Sequence, residues 1–506
     1  MVGPSGLGRR PDEPFPHGVR VDLAPGVQRP TPTVLFGGTP PRLLRLSRRG
    51  AALVAALEAG PVGDAASARL ARRLTDDGMA IPRPGPRGAP VDVTVVVPVR
   101  DRPLELADCL ASLGSRHRVV VVDDGSSDPD AVAAICYLHG ADVVRRSVPG
   151  GPAAARNTGL RTVTSELVAF CDSDCLPRRG WIDGLAGHFV DPLVVGVAPR
   201  IVAEAAGHGA SPLDLGARPA PVRPGGSVPF VPAAAVVFRR DALGDGYDEG
   251  FRYGEDVDLV WRLVEAGWRI RYEPGVEVRH QDPTAALARL RRRFWYGTSA
   301  GPLERAHRGA IEHLAVGVGP ACTVGSVLLG SPRLAVLAWT VTSARLAWQL
   351  RPLGVGRRFA LRLSVGQLLH CWLGLGRWCT TFGAPLLVVA ALGSRGRLAR
   401  RTFRVLSLAV ASALLARRAG PDGGVGPDGG AGPDGGAGPD GGARRLLVDD
   451  VLGELAYGAG VLTGCARARV LAPLVPRIGR PRPGRSPRGV TPRAPALRRR
   501  ACAMAG

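Results

Sequence analysis

Three acidic clusters carry most of the chemistry this sequence could perform. Asp172-Ser173-Asp174 places two carboxylates one residue apart in a turn. Such a pair can share a hard divalent cation, with phosphate oxygens completing an octahedron. The cation would offset negative charge growing on a departing diphosphate. Asp123-Asp124-Gly125-Ser126-Ser127-Asp128 offers carboxylates that accept from a nucleobase imide or a ribose hydroxyl. Gly254-Glu255-Asp256-Val257-Asp258-Leu259 opens an amphipathic stretch. A carboxylate held there near a reacting centre would act as a general base toward a hydroxyl. Each cluster also has an ordinary reading. Asp, Gly and Ser are turn residues, and acids suit the first turn of any helix. Their order and spacing together make the signal.

Two further features join them. Gly150–Gly159 is a small-residue helix start that holds Arg156 and Asn157, the only Asn in the chain. Both suit close approach to a phosphate or a base, while a helix packed tightly on a sheet is the plain alternative. His280 ends Pro274–His280, which reads as an edge strand. A neutral imidazole there is a candidate third metal ligand, and a partly exposed structural His fits equally well.

These residues need a scaffold that gathers strand ends. Val93–Val97, Val119–Val122, Ala141–Val144 and Leu167–Phe170 read as strands, the first two as continuous apolar runs buried on both faces. Helical stretches alternate with them at Leu104–Leu113, Ala131–Leu138 and Ala153–Thr162. That rhythm predicts an α/β domain over 91–300 with an open sheet, its ligands just past the carboxyl ends of the strands.

Residues 1–19 read as disordered. Residues 20–82 read as a small winged-helix-like module: Ser47 caps a helix through Leu57, Ala65–Leu74 is a second helix, and Met79-Ala80-Ile81 closes it as a wing. A Pro/Gly linker follows. Residues 301–418 form an apolar helical region with few acids and several Trp, either a buried helical domain or helices lying on a bilayer face. Residues 419–443 are a Gly-Pro-Asp repeat linker, 444–475 a helical pair, and 476–506 a basic, disordered tail.

The formal charge is +23, and every basic residue other than His is Arg. Part of that excess is the signature of a GC-rich coding sequence. The rest is either a solvated surface or attraction to anionic lipid or a phosphate-bearing ligand. Zinc-ligand spacing, a basic heptad and an aromatic-studded RNA motif are all missing, so nucleic acid is not an expected partner. Nine Cys at irregular spacing argue against a disulfide framework. With no apolar signal core in Met1–Arg20, the sequence predicts a cytoplasmic catalytic region at the inner face of the plasma membrane.

At this point the residues resemble family 2 glycosyltransferases. The resemblance rests on Val93–Val99, Val121–Asp128, Gly150–Gly159, Phe170–Pro177, Val231–Leu243 and Phe251–His280. It implies a GT-A fold, a nucleotide-sugar-binding α/β domain with an open mixed sheet, a bound Mg2+ or Mn2+, and inversion at the anomeric carbon. Position by position, it implies that Asp124, beside Asp123, binds uracil and that Pro98 and Arg100 floor and rim the base pocket. Asp172 would reach ribose and metal, and Asp174 would be the principal metal ligand. Asp256 would be the base, with Glu255 orienting the acceptor. The processive members' Q-x-x-R-W motif is missing, which argues against a polymer channel. The layout further implies transfer of a hexose, glucose from UDP-glucose, to a redox cofactor made from a peptide. The rival readings are a membrane-associated transferase acting on a lipid or envelope polysaccharide, and a peptide-binding scaffold without activity. No G-x-S-x-G context supports a hydrolase.

Overall fold

The computed structural model describes residues 13–87, 91–204, 211–283, 285–383, 396–419 and 441–479. The expectations for residues 1–12, for the repeat at 420–440, for the apolar stretch Leu386–Gly393 and for the tail from 480 onward lie outside the described residues.

The N-terminal module contains β1 (Arg20–Leu23), β2 (Gln28–Thr31), β3 (Val34–Gly37), β4 (Arg42–Arg45), α1 (Arg48–Ala59), α2 (Ala65–Asp76) and β5 (Ala80–Arg83). Strands β2, β3 and β4 form one antiparallel sheet, while β1 pairs with β5. Ser47 caps α1 by accepting from the Gly50 N–H. Asp64 and Ser67 form a reciprocal capping box on α2. The wing expected at Met79-Ala80-Ile81 is not one. Ala80, Ile81 and Pro82 are all buried against β1, so the strand closes the module's core. Residues 13–19 are ordered, contrary to expectation. Phe15 is buried, its N–H bonds Ala68 O, and the Arg72 guanidinium lies 5.3 Å from its ring centroid.

Arginines fasten this module to the domain that follows. Arg72 makes a buried two-pronged pair with Asp191, both contacts 2.7 Å. Arg269 grips Asp76 in the same way, at 2.8 and 3.1 Å. Arg223 donates to the backbone carbonyls of Asp76 and Thr39.

The catalytic domain begins with β6 (Val93–Val99), α3 (Pro103–Leu113), β7 (Arg118–Asp123), α4 (Pro129–His139), β8 (Asp142–Arg145), α5 (Gly151–Leu160) and β9 (Leu167–Cys171). It continues through β10 (Cys175–Pro177), α6 (Trp181–Ala186), β11 (Val194–Ala203), β12 (Ala220–Val222), β13 (Ala235–Arg239), α7 (Glu255–Glu265) and β14 (Arg269–His280). The sheet runs β10-β14-β11-β13-β9-β6-β7-β8, with β12 also on β14. Strands β8, β7, β6 and β9 are parallel, and β13 enters antiparallel, so the sheet is mixed. The apolar runs behave as their composition requires. Val95, Val97 and Val121 pack on one face, and Val96, Val120 and Val122 on the other. Gly159 lets α5 lie flat on this surface, since a Cβ there would come within 2.3 Å of Val96 Cγ1. His280 ends no edge strand: β14 has β11 on one side and β10 and β12 on the other.

Helices α8 (Ala286–Gly297) and α9 (Ala300–Ala306) lead out of the sheet, followed by α10 (Val318–Leu328), α11 (Pro332–Leu350), α12 (Arg357–Thr381) and a helix at Arg397–Ala419. The expected helical pair near 444–475 is one long helix, Gly441–Ala468, packed on α8 and α9. The close approach is through small residues, with Gly460 and Gly464 against Phe294 and Thr298 backbone. Among the described residues, no helix is long and apolar enough to cross a membrane. All eight described cysteines are free.

Breaking a buried ion pair leaves one uncompensated charge. Arg72→Ala should therefore cost about 3–5 kcal/mol of stability in denaturant unfolding. The Arg72→Met/Asp191→Leu double variant should recover most of that loss.

Candidate active site

The site is organised around one guanidinium. Arg156, in the second turn of α5, is buried and spans two carboxylates from different elements. Its Nη2 donates to Asp172 Oδ1 at 2.6 Å, and its Nη1 to Glu255 Oε1 at 2.9 Å. Tyr247 lies beneath it, 5.5 Å from ring centroid to guanidinium carbon. Burial opposes that charge, and Asp172, Tyr247 and Glu255 more than offset it, holding the guanidinium's pKa above its ordinary value.

Asp256 sits beside Glu255 in the first turn of α7. Gly254, with φ 82°, makes the left-handed entry that starts this helix. Burial, and then the neighbouring Glu255 charge, push the Asp256 carboxyl up to about 7. Its Oδ2 accepts weakly from the Ala233 N–H at 3.3 Å and its Oδ1 from the Val257 N–H at 2.8 Å. A carboxyl poised near neutrality suits proton abstraction from a hydroxyl. Two carboxylates further along, Asp258 and Glu265, hold His307 at 2.9 Å each. Burial alone would lower this imidazole, but those bonds raise it to about 9. The pinned His307 ties α7 to the end of α9.

Arg156, Asp172, Glu255 and Asp256 line a cleft of about 3540 Å3. Its walls include the turn from Gly38 to Leu43, the catalytic domain, α8 and α9 at Tyr296 and Leu303, α12 at Arg362, Gln367 and His370, and the long helix Gly441–Ala468 at Glu454 and Tyr457.

Asp174 lies on the other side of the D-x-D turn. Its Oδ1 is buried without a hydrogen-bond partner. His280 Nε2 lies 3.5 Å from that oxygen, and Asp282 Oδ1 lies 3.0 Å from His280 Nδ1. The donor atoms of Asp174, Cys175 and His280 fall within 4.8 Å of one another. An orphaned carboxylate oxygen beside an imidazole is a donor set that fits a divalent cation.

A family model described as glycosyl transferase family 2 matches residues 94–246. The pre-mycofactocin glycosyltransferase of Mycobacterium tuberculosis is 40% identical over 465 residues, covering 88% of this chain and 94% of that protein. The chain belongs to glycosyltransferase family 2. Its fold is the GT-A fold, and its activity is glycosyl transfer. The succinoglycan biosynthesis protein ExoU of Rhizobium meliloti is 28% identical over 212 residues, 36% of this chain and 60% of that one. Among solved structures, a mannosyltransferase of Pyrobaculum calidifontis with GDP-Man and Mn2+ aligns at TM-score 0.36 and 20% identity, over 65% of this chain and 89% of that one.

In this transferase the remaining sequence-predicted residues separate into two groups. Asp123 and Asp124 are buried at the end of β7. Asp123 accepts from the Ser126 N–H at 2.8 Å and pairs with Arg145. Asp124 accepts from the Gly150 and Gly151 N–H groups at 2.9 and 2.7 Å and from Arg146 at 2.8 Å. Base recognition through Asp124 therefore requires Arg146 to yield. Pro98 is half-buried in β6, and Arg100 is exposed at its end, 3.5 Å from Asp101. Asn157 is buried. Its amide is spent on the Tyr247 backbone, both N–H and C=O, at 2.8 Å and on Glu249 at 2.9 Å, clamping the segment that carries Tyr247. Sequence reasoning missed Arg145, Arg146 and His307. The first two had a signal, an Arg pair at the carboxyl end of a strand beside the Asp-Asp strand. His307 had none.

A base role for Asp256 requires its carboxylate form, and it predicts that kcat/KM falls as pH drops through about 7. Asp256→Asn should lose roughly 100- to 10,000-fold in kcat and keep nucleotide binding.

Proposed function

We propose that this chain transfers a hexose, glucose from UDP-glucose, to a hydroxyl of a peptide-derived redox cofactor precursor of the pre-mycofactocin type, with inversion. The observation that carries this reading is Asp256, poised near neutrality in a cleft beside the Arg156–Asp172–Glu255 network. The acceptor hydroxyl gives its proton to Asp256. Its oxygen attacks the anomeric carbon as the bond from that carbon to the diphosphate breaks on the opposite face. Likeness along nearly the whole of the pre-mycofactocin transferase supports the acceptor class. The cleft supports it too, being several times larger than the roughly 300–1,000 Å3 of an ordinary small-molecule site.

Mg2+ or Mn2+ would be held by Asp174, Asp172 and His280, and would neutralise the leaving diphosphate. Glu255, paired with Arg156 at 2.9 Å, positions the acceptor side of Asp256.

Incubation with labelled UDP-glucose and the precursor should place label in a water-soluble product. Label found only in an organic-soluble product from a membrane extract would favour the lipid or envelope acceptor instead. Asp174→Ala should abolish the dependence of the rate on added metal.

We also propose that the enzyme works at the inner face of the plasma membrane, lying on it rather than crossing it. Between Glu312 and Asp422 the chain has fourteen Arg and no acidic residue. Leu334, Leu337, Val341 and Trp348 on α11 and Leu361, Val365 and Leu369 on α12 are largely exposed. Exposed apolar side chains in a segment rich in Arg and lacking acids suit an anionic lipid surface. The full-length protein should float with vesicles containing anionic lipid and stay behind with zwitterionic ones. Equal recovery with neither would sink this placement.

A further inference from the structure

Arg102 plays no part in the chemistry described so far, yet it touches the carboxylate assigned to the metal. Its Nη1 lies 2.6 Å from Asp174 Oδ2. The Arg102 side chain is half exposed, whereas Asp174 is mostly buried.

The backbone that carries Arg102 is not free. Asp101 holds φ 55°, a left-handed conformation rare for residues with a side chain. Three hydrogen bonds keep it there. Its N–H donates to Ser126 Oγ at 3.0 Å, and the Ser127 N–H and hydroxyl both donate to Asp101 Oδ1 at 2.8 Å. Pro103 then starts α3. A strained turn is thus braced on the loop after β7 and presents a half-exposed guanidinium to the D-x-D turn. Such strain persists where surrounding contacts over-determine it, and it clusters at working sites.

A guanidinium and a divalent cation repel strongly at contact distance. A metal on the orphaned Asp174 Oδ1, beside His280, therefore weakens the hold of Arg102 on Oδ2. The released guanidinium, tethered within reach, needs another anion, and the donor's diphosphate is the one that arrives at this turn. We propose that Arg102 is an exchangeable counter-cation: it passes from Asp174 to the donor diphosphate as the metal binds, which makes metal and nucleotide binding cooperative. This rests on the assignment of Asp174 to the metal.

The test is Mn2+ binding to the full chain, followed by electron paramagnetic resonance of the free ion, with and without UDP. In the unaltered protein UDP should tighten Mn2+ binding by about tenfold or more. In Arg102→Gln, Mn2+ alone should bind several-fold tighter, and the gain from UDP should shrink to about threefold or less. Merely removing a positive charge would strengthen Mn2+ equally in both conditions, so an undiminished gain from UDP overturns the proposal. Mn2+ bound no tighter by Arg102→Gln without UDP overturns it as well. Arg102→Lys should keep the coupling, and Asp101→Ala, which loosens the brace but leaves the guanidinium, should weaken it. Matching thermal unfolding curves confirm that the variants fold. Asp174→Ala separates the two layers: Mn2+ binding unchanged in that variant defeats the metal assignment itself.

Discussion

A buried guanidinium needs carboxylates, and the site is arranged to supply them. Desolvating Arg156 costs several kcal/mol unless partners compensate. Asp172 at the end of β9 and Glu255 at the start of α7 do so from opposite sides. Three elements distant in sequence thereby acquire one fixed geometry. The pairing has a second effect. The charge of Glu255 adds to burial in raising its neighbour Asp256. One interaction thus positions the D-x-D turn, anchors α7 and helps to tune the carboxyl best placed to take a proton.

The same chemistry recurs at the boundary with the N-terminal module. Arg72, Arg223 and Arg269 use the fork of the guanidinium to hold carboxylates and carbonyls across that boundary. The module is therefore a wall of the catalytic cleft rather than a tethered adaptor, and its Gly38–Leu43 turn lines the cleft. Phe36 and Phe359 meet edge to face at 5.6 Å, which joins this wall to α12. A cleft walled by elements from distant parts of the chain has a shape that a bare sheet edge cannot have.

The two acids of the D-x-D turn, one residue apart in sequence, end in different environments. Asp172 turns toward Arg156 and the cleft, while Asp174 turns toward His280 and Arg102. The turn between β9 and β10 thus sets its two carboxylates against different partners. Behind it, Cys109, Cys171 and Cys175 are buried and pack the turn's base.

The sequence by itself determined the α/β rhythm of the catalytic domain. Apolar runs such as Val93–Val97 can only be strands covered on both faces, and acids just past them fall at one sheet edge. The family followed from those motifs in order, and so did the candidates Asp172, Asp174 and Asp256. A local cap signal at Ser47 located α1, and the spacing of Leu70 and Leu74 located α2. Only the tertiary structure decided what depends on contacts across long separations. His280 reads as an edge strand from its polar alternation, yet β10, β11 and β12 pack around β14. Asn157, distinctive by composition, is a clamp because Tyr247 lies ninety residues away in sequence and beside it in space. Asp124 reads as free for a base, yet Arg146 and two backbone amides occupy it. Periodicity records which face of an element is buried. Which charge a carboxylate meets is set by neighbours that periodicity does not encode.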